Sequence, residues 1–351
     1  MSITKGVVSR VEHQTYVHSG LSLLAIQIDT AIDPGNSGGP AIVNGRIAGV
    51  AMQDSNNMGY IVPVTIIRHV LDDMAAGHPT GFPSMGILLE NMENPGLRRR
   101  YQIPADQDGM LITKILRNSV TRGLLQAGDV LTQLDDRPVA SDWTIEFRKG
   151  ERTCMTLVAQ QHHFGEKMKV GFLRNGQPQS GWITLTNRMT DDVLVPLTHA
   201  SNTATYYIVG GLVFCPLTTD LLKAWGQDWQ NDAPKELVAQ LCNNAKDDQI
   251  DEIVVLLRVM AGDVNRGYQD VGNMVIRKVN GKAISNLREL IAIVEGSKTL
   301  FIEFEDRDGT QVILDRELLE KDHGEVLKTY GIAQDRSSDL LPAARQAAIN
   351  R

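Results

Sequence analysis

The chain has 351 residues, of which 42% are hydrophobic and 22% are charged, and its formal net charge is −7. This length predicts two or three domains, each able to bury a core. The acidic balance argues against a nucleic-acid surface, which needs clustered Lys and Arg, and no run of 18 apolar residues is present to span a membrane. The three cysteines form no CxxC pair, so we expect no disulfide framework and no zinc site. The sequence contains no cofactor or metal motif, so no cofactor is expected.

The first 77 residues show short strands separated by turn residues. Asn44-Gly45, inside PAIVNGRIAGVA, predicts a tight hairpin. After Pro63 the apolar residues recur at helical spacing as far as Met74, and Gly77 stands where a helix C-cap is expected. The sequence therefore predicts a β-domain closed by one amphipathic helix over residues 1–77, followed by a turn-rich linker over 78–84.

Two later segments resemble each other. AGDVLTQLDDRPVASDWTI and VGNMVIRKVNGKAISNLREL both open on a glycine turn before a strand, and each is followed by a hairpin sequence. The repeat predicts two copies of one domain, which we call the first copy (85–190) and the second copy (206–318). A connector is expected over 191–205, and the polar tail, 319–351, is expected to fray.

The most specific motif is Gly35-Asn36-Ser37-Gly38-Gly39-Pro40, which is typical of a nucleophilic serine. Glycines permit a turn in which the backbone N–H groups of Gly35 and Ser37 converge on the oxyanion of a tetrahedral intermediate. Losing one such donor costs about 2.7–4 kcal/mol of transition-state stabilisation. The alternative is a glycine-rich turn that happens to contain a serine.

On this segment the chain resembles the HtrA/Deg serine proteases, and its repeated domains resemble the plant-type Deg branch. The resemblance implies a mainly β fold, in which the C-terminal barrel of a chymotrypsin-like protease precedes two PDZ domains with antiparallel sheets. Asn36 agrees with it, because trypsin-like enzymes usually carry Asp before the serine.

The same resemblance implies how substrate is held. Ala31 and Ile32 would line the S1 pocket, so we expect cleavage after small or medium apolar residues. The strand of Ala51, Met52 and Gln53 would pair with the substrate backbone.

The family's chain order is His, then Asp, then Ser. Only 36 residues precede Ser37, and we expect His13 and His18 among them to be ordinary polar positions of a hairpin. His69, His162 and His163 also fall outside the pattern. We therefore expect the triad His and Asp to lie outside this sequence, which would leave the chain alone an ineffective protease.

PDZ domains add an extended peptide to a sheet edge beside a glycine loop. The resemblance implies such sites at Met85, Gly86 and Ile87 in the first copy, and in the second copy at the residues Gly211, Leu212 and Val213. The alternatives are a turn glycine before an edge strand and, for the second copy, plain core residues.

Two functions remain as hypotheses. One is an ATP-independent endopeptidase of protein quality control that acts on unfolded or C-terminal segments, and the other is an inactive PDZ adaptor or holdase. The resemblance implies a homo-oligomer for the full-length protein and a periplasmic or organellar location, whereas the sequence itself carries no signal for a compartment.

Overall fold

The computed structural model describes residues 3–16, 19–33, 35–55, 58–77, 81–197, 204–243 and 245–341. They divide into two compact units, Met1–Asp192 and Val193–Arg351. In the first unit the strands are β1 Val8–Thr15, β2 Ser22–Ile28, β3 Pro40–Val43, β4 Arg46–Ser55, β5 Met58–Pro63, β6 Pro83–Ser84, β7 Ile87–Glu90, β8 Met110–Ile115, β9 Val130–Leu134, β10 Arg137–Pro138, β11 Thr144–Arg148, β12 Glu151–Cys154, β13 Lys167–Arg174, β14 Gln177–Thr184 and β15 Asn187–Arg188. Its helices are α1 Val64–Ala76, α2 Pro95–Arg100 and α3 Thr156–Gln160.

The second unit continues the numbering. Its strands are β16 Tyr207–Val209, β17 Leu212–Pro216, β18 Val254–Val259, β19 Met274–Ile276, β20 Lys278–Val279, β21 Lys282–Ala283, β22 Phe301–Glu305 and β23 Gln311–Asp315. Its helices are α4 Thr219–Lys223, α5 Trp229–Asp232, α6 Lys235–Ala239, α7 Leu287–Gly296 and α8 Arg316–Thr329, with 3₁₀ turns at Gln240–Asn243 and Ser338–Leu340.

The first unit opens with a five-stranded antiparallel sheet in the order β1-β2-β5-β4-β3. Asn44 (φ 51°) and Gly45 (φ 74°) form the turn between β3 and β4, with the positive φ angles that a tight hairpin requires. Helix α1 then ends at Gly77, whose left-handed φ of 66° makes it the C-cap. The hairpin turn and the end of the closing helix therefore lie at the residues that the sequence predicts for them.

The first copy is built on a sheet in the order β14-β13-β9-β8-β7, with β10 paired to β9. The side chains that fill its centre are less than 2% exposed and include Met110, Ile112, Leu131, Leu134, Ile145 and Met168. Strand β7 pairs with β8 on one side only, so its other side is a free sheet edge.

The second unit contains two four-stranded sheets, β16-β17-β18-β19 and β21-β20-β22-β23. Phe214 on β17 and Phe304 on β22 meet at the centre of its core, with ring centroids 4.8 Å apart and ring planes 35° from parallel. Apolar faces of both sheets and of α7 therefore share one core.

The structure differs from the predicted boundaries at two places. The tail predicted to fray from residue 319 contains most of α8, in which Leu319 and Val326 are buried against the second unit. The end of the predicted linker forms β6, which pairs with β15 and so belongs to the first copy's fold. In both cases long-range packing orders a segment whose composition is turn-like or polar.

The mainly β architecture predicted from the sequence is confirmed. Within the described ranges, no helix combines the length and the apolar character needed to cross a bilayer.

Candidate active site and peptide-binding edge

Ser37 lies on an exposed turn that leads into β3. Gly35 and Gly38 have φ angles of 97° and 87°, which residues with a side chain rarely adopt. The turn is clamped to β4, because the Gly38 N–H donates to the Ala51 carbonyl (2.8 Å) and the Ala51 N–H donates to the Gly39 carbonyl (2.9 Å). The structure thus brings the predicted nucleophile beside the predicted substrate-binding strand.

Met52 occupies a β-bulge that sequence reasoning missed. In the β4–β5 ladder Ala51 is opposite Ile61 and Gln53 is opposite Tyr60, so Met52 is the extra residue. Its carbonyl accepts a hydrogen bond from the Ser37 hydroxyl at 3.1 Å. The bulge therefore positions the serine side chain against the strand.

The backbone N–H groups of Gly35 and Ser37 have no hydrogen-bond acceptor among the described residues. The intervening Asn36 N–H, by contrast, donates to the Asp33 carbonyl at 3.0 Å. Two backbone donors, one on Ser37 itself and one two residues before it, are therefore unpaired among the described residues.

The predicted pocket residues, Ala31 and Ile32, and the strand residue Gln53 differ in their surroundings. Ile32 is buried, Ala31 is half-buried, and Gln53 donates from Nε2 to the Thr15 carbonyl at 3.3 Å. Ile32 packs over Gly59, where a Cβ would lie 2.8 Å from Ile32 Cγ1 and 2.6 Å from the Thr30 carbonyl oxygen. Ile32 is therefore held in place by backbone that tolerates no side chain.

Replacing Gly59 by Ala is expected to destabilise the first sheet by about 1–3 kcal/mol, because the Ile32 side chain and the Thr30 backbone must both shift. Urea denaturation followed by circular dichroism measures this change. The control is Gly324→Ala on α8, where a Cβ meets nothing within 4 Å and helix propensity favours Ala. Equal stability of the two variants would contradict the prediction.

His13 on β1 is bonded to side chains of the first copy. Its Nδ1 lies 3.2 Å from Thr153 Oγ1, and its Nε2 lies 3.0 Å from Gln160 Oε1. With both ring nitrogens occupied there, His13 is not oriented toward Ser37. His18 lies outside the described residues.

Burial lowers the pKa of His13 below its ordinary 6.5, and the hydrogen bond with Gln160 opposes this only in part. Since the unfolded chain then binds a proton more readily than the folded chain, the stability contribution is complete above about pH 6.5 and declines below it. We expect His13→Asn to flatten the loss of unfolding free energy between pH 7 and pH 5, as measured by urea titrations at several pH values. An unchanged slope would contradict this. His69, whose pKa burial also lowers, accounts for a residual slope.

The first-copy loop holds Gly86 in a left-handed conformation (φ 66°) directly before β7. Met85 is buried, and its carbonyl accepts from Ser119 Oγ at 2.7 Å. The Gly86 N–H already donates to Ser84 Oγ at 3.1 Å. The open sheet edge of β7 begins directly after this loop, at Ile87.

The second-copy loop is different. Strand β17, which begins with Leu212 and Val213, pairs with β16 on one side and with β18 on the other. Gly211 is buried, its carbonyl accepts from the Met260 N–H, and a Cβ there would lie 2.2 Å from the Met260 carbonyl oxygen. Strand addition needs a free edge, so this geometry does not support the predicted peptide site at Gly211, Leu212 and Val213, of which the first two are buried and Val213 is half-buried.

The outer edge of β16 is covered as well. The Ile208 N–H donates to the Asp335 carbonyl, and the Ser337 N–H donates to the Tyr206 carbonyl at 3.0 Å. A segment of the predicted tail thus takes the position that an added peptide strand would take.

Comparisons with known proteins agree with this architecture. A family model described as a PDZ domain matches residues 195–339. Protease Do-like 2, chloroplastic, of Arabidopsis thaliana is 35% identical over 348 residues, which are 97% of this chain and 56% of that protein. Putative protease Do-like 3, mitochondrial, of the same plant is 32% identical over 97% of this chain and 60% of its own length.

A serine protease DegP homolog of Plasmodium falciparum is 26% identical over 85% of this chain and 45% of its own length. A solved HtrA-type protease, AlgW with decapeptide, is 24% identical over 52% of this chain and 55% of its own, with a TM-score of 0.39 that alone identifies no shared fold. The chain spans somewhat more than half the length of the plant relatives. The predicted resemblance to the Deg and HtrA (Do-like) proteases is confirmed over nearly the whole chain, and residues 195–339 match a PDZ domain.

Proposed function

We propose that this chain supplies the nucleophile-bearing part of an HtrA/Deg-type serine endopeptidase. The observation that carries the proposal is the pair of unpaired N–H groups, of Gly35 and Ser37, on an exposed turn clamped to β4. Ser37 Oγ attacks the scissile carbonyl carbon, and the developing oxyanion accepts hydrogen bonds from these two donors.

The serine proton needs a base. The five histidines in the described part of the chain, His13, His69, His162, His163 and His323, all have other hydrogen-bonding partners. We propose that none of these five histidines is the general base for Ser37.

Labelling the natural protein with a fluorophosphonate probe tests this function. Mass spectrometry is expected to find the adduct on the peptide that contains Ser37, and Ser37→Ala is expected to abolish labelling and the hydrolysis of unfolded casein. Ser19, half-buried in the turn between β1 and β2 of the same sheet, is the matched control, and Ser19→Ala is expected to keep both. Casein hydrolysis that survives Ser37→Ala would overturn the proposal.

For substrates, we propose unfolded polypeptides cleaved after small or medium apolar residues, since Ile32 offers the pocket an apolar side chain. We propose the domain division 1–77, 85–190 and 206–318, with α8 added to the last domain. Protein quality control is the corresponding biological role, and homo-oligomerisation of the full-length protein belongs to the same proposal.

A second candidate function is peptide capture as an adaptor or holdase, favoured by the free edge of β7. Its neighbour β8 satisfies only one side of the strand, and Leu88 is 38% exposed on it. An extended peptide can therefore add its backbone to β7 and pack an apolar side chain near Leu88.

We expect Leu88→Asp to weaken binding of a fluorescein-labelled peptide with an apolar C-terminal residue by at least about tenfold, as measured by fluorescence anisotropy. Ile313→Asp is the matched control, because Ile313 is 37% exposed on β23, also an edge strand. Equal affinity of both variants would argue against capture at β7. If the peptide binds and Ser37 is never labelled, the adaptor function replaces the protease.

A further inference from the structure

Three side chains that the proposed reaction does not use converge within the first unit. His69 and Asp73 lie four residues apart on α1, and so on the same face of that helix. His163 comes from the first copy, three residues after α3 ends. One ligand-capable atom of each residue lies within 4.8 Å of the corresponding atoms of the other two.

Asp73 is the centre of this cluster, and its side chain is completely buried. Its Oδ1 accepts a hydrogen bond from His163 Nδ1 at 2.6 Å. Its Oδ2 lies 3.5 Å from His69 Nε2, and it is one of the few buried side-chain oxygens in the described residues that has no hydrogen-bond partner. A buried carboxylate oxygen without a donor is costly, so this position favours a cation.

The imidazole rings are held in a stack. His69 lies between Phe82 and His163, with ring centroids 4.8 Å and 4.3 Å away, respectively. Its Nε2 donates to the Gly81 carbonyl at 3.1 Å. The side chain of His163 is 30% exposed, so solutes can reach the cluster from that side.

We propose that His69, Asp73 and His163 bind a divalent transition-metal ion of the zinc class. Two imidazole nitrogens and one carboxylate oxygen form a ligand set that zinc accepts, at about 2.0–2.2 Å from the metal, and water completes the tetrahedron. Magnesium and calcium are disfavoured because they select oxygen ligands.

Binding requires one ring rotation and a change of tautomer at both histidines. A metal lies in the plane of each imidazole that binds it, so two stacked rings cannot both bind until the His163 ring turns out of the stack. His163 frees Nδ1 for the ion by carrying its single proton on Nε2. His69 frees Nε2 by carrying its single proton on Nδ1, so its hydrogen bond with the Gly81 carbonyl is broken and no proton is lost overall. Since His163 belongs to the first copy and the other two ligands to α1, the ion joins these two parts of the unit.

X-ray absorption spectroscopy of the 351-residue chain loaded with Zn²⁺ tests the site without any mutation. We expect one ion per chain with two imidazole ligands and no sulfur ligand, and a visible absorption band of tetrahedral type when Co²⁺ replaces it. Absence of a bound ion, or fewer than two imidazoles on it, would overturn the proposal.

His163→Phe keeps an aromatic ring in the stack and removes the ligand. We expect it to weaken Zn²⁺ binding at least about tenfold in competition with a chromophoric chelator. His162→Gln is the matched control, because His162 contacts Asp135 and Glu166 instead, and its variant is expected to bind Zn²⁺ like the parent chain. Equal Zn²⁺ affinity of His163→Phe and the parent chain would show that the cluster is only a hydrogen-bonded contact.

Discussion

Asp129→Asn is expected to lower the free energy of unfolding of the first unit by about 3–5 kcal/mol. The Asp129 side chain is 1% exposed and forms two hydrogen bonds with Arg174, from Nε at 2.8 Å and from a terminal nitrogen at 2.7 Å. It also accepts the Gln126 N–H at 2.9 Å, which fixes the turn before β9. The asparagine keeps the shape and leaves the guanidinium of Arg174 without its counter-charge.

Hydrogen–deuterium exchange across a urea titration measures this loss, because peptides from each unit report its stability separately. The control is Asp263→Asn, whose ion pair with Arg266 is short (2.6 Å) but highly exposed, so little change is expected. A similar effect of the two substitutions would contradict the assignment of Asp129 as a buried structural anchor.

Phe304→Ala is expected to cost the second unit about 3–5 kcal/mol, because the side chain is fully buried and its ring contacts that of Phe214. Truncation leaves a cavity at the point where both sheets of the unit meet. The same exchange experiment reports the change in peptides from 206–341.

Phe301, on the same strand, is the matched control. It is 47% exposed, so Phe301→Ala is expected to change stability by about 0.5 kcal/mol or less. If both alanine variants were equally destabilised, Phe304 would not be the centre of this core.

Local chemistry was sufficient to predict much of this fold. Asn44-Gly45 specifies its hairpin by allowing positive φ, and Gly77 ends α1 for the same reason. The turn at Ser37 is likewise predictable from its own glycines, because Gly35 and Gly38 adopt positive φ angles. These features depend on neighbours in sequence, which a single chain displays directly.

Contacts between distant residues could not be predicted in this way. His13 and Gln160 are 147 residues apart, and Asp73 and His163 are 90 apart. Nothing near His13 or Asp73 in the sequence indicates these partners. The bulge at Met52 was missed because it is a property of the β4–β5 register and not of either strand alone.

The sequence of helix α8 did contain two features that indicate a helix. Asp315 caps it by accepting the Leu318 N–H at 3.0 Å, and Leu319 and Val326 lie seven residues apart on its buried side. The polar composition of the segment concealed this pattern, since most of the helix faces solvent.

The strand pairing around β16 and β17 bears on how many sheet edges of one chain are open to an added peptide strand. Of the two strands that follow the glycine loops, β7 keeps a free edge, whereas β17 is enclosed by β16, which is itself covered by the segment around Asp335 and Ser337. Among the described strands that follow a glycine loop, β7 is therefore the one with an open edge, and the proposed peptide capture would use one such edge per chain. Avidity for a long unfolded polypeptide would then arise by linking several chains, with an effective concentration set by the spacing between their β7 edges.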